Sequence, residues 1–175
     1  MSKNSIVTRL GLVGESEGAT FSECDSYRYS LWRTWDSWLP KCNFLMLNPS
    51  TADETILDPT VTRCMNYAKA WGFGGLVVTN LFAFRSTDPA ALKTAADPIG
   101  PDNDEAIERE ALRCPMTVCA WGNHGALHSR DSHVRLKLAC NPFIKLRCLK
   151  INVATKQPAH PLYLSRDLKP IAFPK

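Results

Sequence analysis

The stretch NFLMLN (43–48), followed by DPTVTRCMNYAKAWG (58–72) and GLVVTNLFAF (75–84), decides the fold class. NFLMLN is a short continuous apolar run, the pattern of a strand buried on both faces of a parallel sheet. Asp58 then offers a helix N-cap and Pro59 suits the first helical position. Val61, Cys64, Met65, Ala68 and Trp71 recur at helical spacing, and Gly72 is a natural stop. GLVVTNLFAF is a second apolar strand. Strand, helix, strand implies a right-handed crossover and parallel pairing.

The same alternation continues toward the C-terminus. Ser86–Ala95 and Asp102–Arg113 read as short helices, MTVCAW (116–121) as a third strand, 124–139 as a helix and LRCLKIN (146–152) as a fourth strand. Toward the N-terminus, YRYSLWRTWDSWLP (27–40) alternates like an antiparallel strand pair or an edge strand. The expectation is one domain over 1–175. It is a three-layer α/β/α sandwich around a central, mainly parallel four-stranded sheet, with residues 1–40 as an N-terminal β extension. In such folds ligands bind beyond the carboxyl ends of the strands. The segments expected there are Asn48–Glu54, the end of strand 75–84, Trp121–Gly125 and Thr155–Ser165.

The 175 residues are 45% hydrophobic and 22% charged, with net charge +4, which excludes disorder as the main state. No apolar run approaches a membrane span, and the N-terminus lacks a secretory pattern, so a cytoplasmic protein with no membrane partner is expected. The charge is uneven: −5 over residues 1–110 and +9 over 111–175. A C-terminal third this basic suits a polyanion such as nucleic acid, or a merely solvated basic surface. Arg130, Arg135, Lys137 and Lys156 are the expected nucleic-acid contacts.

Seven cysteines without a CxxC pair suggest reduced, mostly buried thiols. HGALH (124–128) sets two histidines at i, i+4 but lacks the Glu of HExxH. Its structural reading leads, and no metal or cofactor is expected. GFGG (72–75) precedes a strand instead of following one, so it is no dinucleotide fingerprint. GxSxG is absent. What remains is a polar Asn/Asp set with one histidine, able to position water and stabilise a leaving anion without metal.

LMLNPS (45–50), VVTNLFAFR (77–85), AWGNHG (120–125) and HPLYLS (160–165) are similar, in order and rough spacing, to the motifs of the uracil-DNA glycosylase superfamily. YRYSLWRTW, LNPSTAD, DPTVTRC, NLFAFRSTDP, DPIGPDND, WGNHG and HPLY resemble a bacterial and phage family known as a domain of unknown function. That second resemblance covers 27–165. The glycosylase resemblance implies that Asn48 orients an attacking water, that Asn80 hydrogen-bonds the base edge, and that His160 stabilises the departing base. It also implies that Ser50 and Ser165 sit in phosphate-gripping loops.

Pro49, Arg85 and Tyr163 complete the expected substrate-binding set. Asp53 is the expected general base, whereas Asp58 has a capping role to fill. Arg63 and Arg85 either pair with acids or grip phosphate. Ser50 replaces the usual Gly after Asn-Pro, HPSP becomes His160–Tyr163, and Thr60 and Val61 stand where a stacking aromatic is usual. These departures point away from plain uracil. The expected function is a metal-independent hydrolase that removes a base, modified or not, from DNA. Its rivals are a non-catalytic nucleic-acid or nucleotide-binding module and an enzyme acting on small nucleotides.

Overall fold

The computed structural model describes residues 4–10, 15–50 and 58–174. The strands are β1 (Ser5–Leu10), β2 (Ser16–Phe21), β3 (Arg28–Thr34), β4 (Lys41–Met46), β5 (Gly75–Asn80), β6 (Thr117–Cys119), β7 (Leu146–Cys148) and β8 (Ile171–Ala172). The helices are α1 (Pro59–Ala70), α2 (Asn103–Arg113) and α3 (Arg130–Ala139).

All eight strands form one mixed sheet in the order β1-β2-β3-β5-β4-β6-β7-β8. Pairings β5-β4, β4-β6 and β6-β7 are parallel; the other four are antiparallel. This corrects the expected glycosylase-like sandwich with its central four-stranded, mainly parallel sheet. The difference lies in residues 27–34. Their alternation reads as an antiparallel strand pair or an edge strand; β3 is antiparallel to both neighbours but lies inside the sheet, buried along nearly its whole length and paired with β5, Leu31 opposite Val78 and Trp32 opposite Val77. The β1-β2 hairpin extends the sheet from there. At the other margin β8 adds an antiparallel strand on β7.

The parallel strands end sooner than the apolar runs suggest, because the sequence cannot show where the ladder stops and the loop begins. Leu81 and Phe82 still hydrogen-bond to Met46 and Leu47, but outside regular strand geometry. Side chains of β4 alternate as a strand's must. Cys42, Phe44 and Met46 pack with Cys64, Tyr67 and Ala68 of α1. Leu45 and Leu47 pack with Ile107 and Ala111 of α2 and Val134 and Leu138 of α3. In α1 the Asp58 Oδ1 accepts from the Thr60 and Val61 amides at 2.6 and 3.4 Å. Gly72 ends the helix at φ +84°, a conformation that suits glycine.

Helix 124–139 is corrected as well. Asn123–Ser129 forms 3₁₀ turns broken at Leu127 and His128, and His128 has φ +53°. His124 and His128 therefore do not share a helical face. Likewise 86–95 is helical only as a 3₁₀ segment, Pro89–Lys93.

One polar cluster lies inside the sheet. Asn43 donates to Thr117 Oγ1 at 3.2 Å and accepts from Thr79 Oγ1 at 3.1 Å, and all three residues are fully buried. The cluster ties three parallel strands together. Asn43→Ala strands both hydroxyls, each at a cost of about 1–3 kcal/mol. Urea unfolding is expected to show a loss of that order. An unchanged midpoint would mean the cluster contributes nothing to the sheet.

Candidate functional site

Where β4 and β5 end, the chain opens a cavity of about 340 Å³. Its polar lining comes from separate parts of the fold: Asn48 and Ser50 after β4, Asn80 at the end of β5, Asn123 and His124 after β6, and His160 after β7. Asp58 and Thr60 at the start of α1 and Arg28 at the start of β3 close it. The volume lies at the lower end of the roughly 300–1,000 Å³ usual for small-molecule sites.

Asn80 is 3% exposed, and its side-chain amide makes no hydrogen bond among the described residues. A buried amide without a protein partner is uncommon, and this one lines the cavity. Its backbone is held firmly. Asn103, at the start of α2, donates from its amide to the carbonyls of Asn80 and Leu81 at 3.1 and 3.0 Å. Arg130 Nε adds a bond to Leu81 O at 2.8 Å, and Arg130 also pairs with Asp104.

Asn48 is anchored differently. Its amide nitrogen donates to Ser86 O at 2.8 Å and to Pro49 O at 3.2 Å. Its carbonyl oxygen, with no donor among the described residues, is left as an acceptor. His160 accepts at Nδ1 from the Leu162 amide at 3.4 Å, which assigns the proton of the neutral ring to Nε2. Burial holds His160 below its ordinary pKa, and the nearby Asp58 charge only partly offsets this. At neutral pH the ring is uncharged and offers one N–H. Asp58 is occupied as a cap and also accepts from Ser50 Oγ at 3.3 Å.

A buried polar chain joins the two loops on this side. Trp121 Nε1 donates to Gln157 Oε1 at 2.6 Å, and Gln157 Nε2 donates to Asp131 at 2.7 Å. Gly122, at φ +73°, a conformation that suits glycine, donates to Pro158 O and lies beside His160.

The structure brings together Asn48, Ser50, Asn80 and His160 from the expected set, with Pro49 buried beside them. Asp53 lies outside the described residues. Other members sit elsewhere. Arg85 donates to Asp25 O and lies over the Phe21 ring at 4.9 Å. Tyr163 is 87% exposed, with its ring 6.5 Å from that of His160. Ser165 is exposed and contributes a carbonyl to Tyr67. Arg63 donates to Leu162 O.

The four basic residues differ in their surroundings. Arg130 is 2% exposed and committed to Asp104 and Leu81, so its charge is spent inside the fold. Arg135 donates to Pro174 O and covers the Phe173 ring, and Lys137 faces Glu108 at 3.6 Å. Only Lys156 of the four is exposed without a described partner. Spacing alone missed Asn103 as part of the site's frame, because its role depends on a contact between distant segments.

Among the described residues no three His, Cys, Asp or Glu side chains converge as metal ligands, and no helix is long and apolar enough to cross a membrane. All seven cysteines are free and five are buried.

The fold and cavity define a mixed α/β protein with a polar pocket at the carboxyl ends of its parallel strands. The family model described as "Protein of unknown function (DUF1643)" matches residues 28–162, and the chain belongs to that family. No curated protein and no solved structure matches it.

The depressed His160 pKa has a consequence for stability. The unfolded ring gains its proton near pH 6.5 while the folded ring resists it, so stability falls as pH drops below about 6.5 toward the lower folded pKa. Above that window the contribution is constant. Urea unfolding from pH 8 to 5 is expected to show this loss in the native chain and a flatter profile in His160→Gln. Identical profiles would place the ring in solvent.

Proposed function

We propose that the cavity binds a nucleobase and that the protein hydrolyses an N-glycosidic bond without a metal. The observation that carries this reading is the buried Asn80 amide, which offers one acceptor and two donors to a ligand and none to the protein. A uracil-like or thymine-like edge, with N3–H beside O4, complements that amide.

The chemistry follows from the neighbours. The Asn48 carbonyl accepts a hydrogen bond from a water and orients the water's lone pair toward the sugar carbon, while the amide's bonds to Ser86 and Pro49 keep it from turning. As the bond to the base breaks, negative charge collects on the base. The neutral His160 Nε2–H stabilises that charge where it develops. The water's proton passes to solvent or to a carboxylate; Asp53 is the candidate that the motif suggests. LMLNPS, VVTNLFAFR, AWGNHG and HPLYLS each supply a residue to the cavity, so the motif resemblance to uracil-DNA glycosylases supports the same chemistry.

DNA is the substrate suggested by the basic C-terminal third, and taking a base out of a stack requires such a pocket. A second reading, an enzyme on free nucleosides or nucleotides, is favoured by one observation. Arg130, Arg135 and Lys137 each engage a group of the protein itself, the last two at the surface, and none of them lines the cavity.

The test is release of free base, read by mass spectrometry, from DNA carrying several pyrimidines and from the matching nucleosides, with chelator present. Free base is expected, and its absence from every substrate would overturn the reading. Binding that weakens steeply with salt favours DNA, since each phosphate contact adds about one unit to the slope. Flat binding favours the small substrate.

Asn48→Ala is expected to lower turnover by about 10²–10³, while stability falls by only about 1 kcal/mol for the lost Ser86 bond. Turnover that survives the substitution would remove Asn48 from the mechanism. Asn80→Asp is expected to weaken action on keto-edge bases by about 10- to 100-fold and to shift preference toward amino-edge ones. Unaltered preference would mean that Asn80 reads no base.

A further inference from the structure

At the opposite end of the sheet, beside the amino end of β4, lies a second and larger cavity of about 700 Å³. One wall is the β1–β3 face and the other is α2, with Leu39, Pro40 and Lys41 at the end. Its chemistry differs from that of the first cavity, and the proposed reaction uses none of it.

Three cations line it, Lys41, Arg109 and Arg113, against one carboxylate, Glu110. Glu110 Oε1 accepts from Arg109 Nε at 3.0 Å and from Arg113 Nη1 at 3.4 Å. One carboxylate therefore fixes two guanidiniums side by side and leaves two positive charges unmatched. Each guanidinium has five N–H donors, and among the described residues only one of each is used. Such a pair suits a planar or tetrahedral oxyanion.

The aromatic part of the wall is Trp32, with Ile6 and Val77 as further apolar lining. Its ring lies directly on the backbone of β2, where a Cβ at Gly18 would stand 2.4 Å from a ring atom. Glycine at 18 lets the indole settle against the strand, as a broad flat surface within the cavity wall. Ser30 donates to Thr20 Oγ1 at 3.2 Å, which leaves the Thr20 hydroxyl proton for an outside acceptor.

An adjoining cavity of about 370 Å³ shares Asn4, Thr20 and Arg109 with this one. It is lined by Tyr29, a residue 1% exposed whose buried hydroxyl donates to nothing among the described residues. Asp102 and Glu105 line that adjoining space too, Asp102 close enough to the phenol for its charge to raise the Tyr29 pKa, and both carboxylates repel an anion. They set its direction, with the charge toward Arg113 and Lys41. Cys114 also borders the cavity, but burial pushes its thiol up to about 12, so it stays protonated and the site binds without reacting.

We propose that this groove is a binding site for a flat aromatic anion, its ring against Trp32 and its acidic group held by Lys41, Arg109 and Arg113. It is separate from the nucleobase pocket and does not depend on that reading.

The probe is anilinonaphthalene sulfonate, followed by its own fluorescence and by quenching of tryptophan, with uncharged phenylnaphthylamine as the control. Saturable binding of one molecule per chain is expected. It should weaken by at least about tenfold in the Lys41→Glu, Arg113→Glu double variant, and the neutral control should bind by about the same factor less well. Arg113 is exposed and Lys41 half-buried at the start of β4; a urea midpoint matching the native one checks that the variant folds, and Arg113→Glu alone, expected to weaken binding in the same direction, serves if it does not. Displacement by naphthoate or by naphthyl phosphate tells whether the site prefers a carboxylate or a phosphate. Release of base by the double variant is expected to match the native chain. No binding, equal binding of the neutral control, or binding indifferent to the charge reversal would each overturn the proposal.

Discussion

The end of β5 is the point on which the site depends. A parallel strand that stops at the sheet's carboxyl edge leaves carbonyls with no ladder partner, and a buried carbonyl must find one. Here Asn103 from α2 donates to the carbonyls of both Asn80 and Leu81, and Arg130 from α3 donates to that of Leu81. Two helices thus hold one strand terminus in place. Arg130 is itself neutralised by Asp104, so the clamp adds no unpaired charge to the interior. Because the backbone at 80 cannot shift, the Asn80 side chain presents its amide at a fixed place in the cavity.

The other polar groups are fixed in the same way, each through a neighbour. Ser86 holds the nitrogen of Asn48, and the Leu162 amide fixes the tautomer of His160. Asp131, through Gln157 and Trp121, ties the loop before His160 to the loop after β6. The result is a small cavity whose donors and acceptors are set before a ligand arrives, the condition under which electrostatic stabilisation is most effective. A charged histidine would lose this advantage, and burial keeps the ring neutral.

Much of this was legible in the sequence at the level of single elements. The capped, proline-led helix after Asp58 is the clearest case, since cap, first-turn proline and terminal glycine each follow from local backbone chemistry. The gathering of Asn48, Asn80 and His160 at one edge followed from strands alternating with helices. Sheet membership was not legible. β3 carries an aromatic-rich alternation that an edge strand and an interior strand share, and only its pairing with β5 distinguishes them. The surroundings of the basic residues were not legible for a related reason. A count of lysines and arginines cannot tell Arg130, buried on a carbonyl, from Lys156, which faces solvent. Asn103 was invisible because it acts over more than twenty residues of sequence.

In the proposed function, the Asn80 amide reads a base edge. Proton–nitrogen NMR of the native chain, with side-chain amides assigned by the Asn80→Asp spectrum, tests it most directly as free uracil, thymine and cytosine are added in turn. The account predicts that the Asn80 amide and the His160 ring signals shift together, saturate, and respond more to the two keto-edge bases than to cytosine. Shifts confined to other residues, or none at any base, would contradict it.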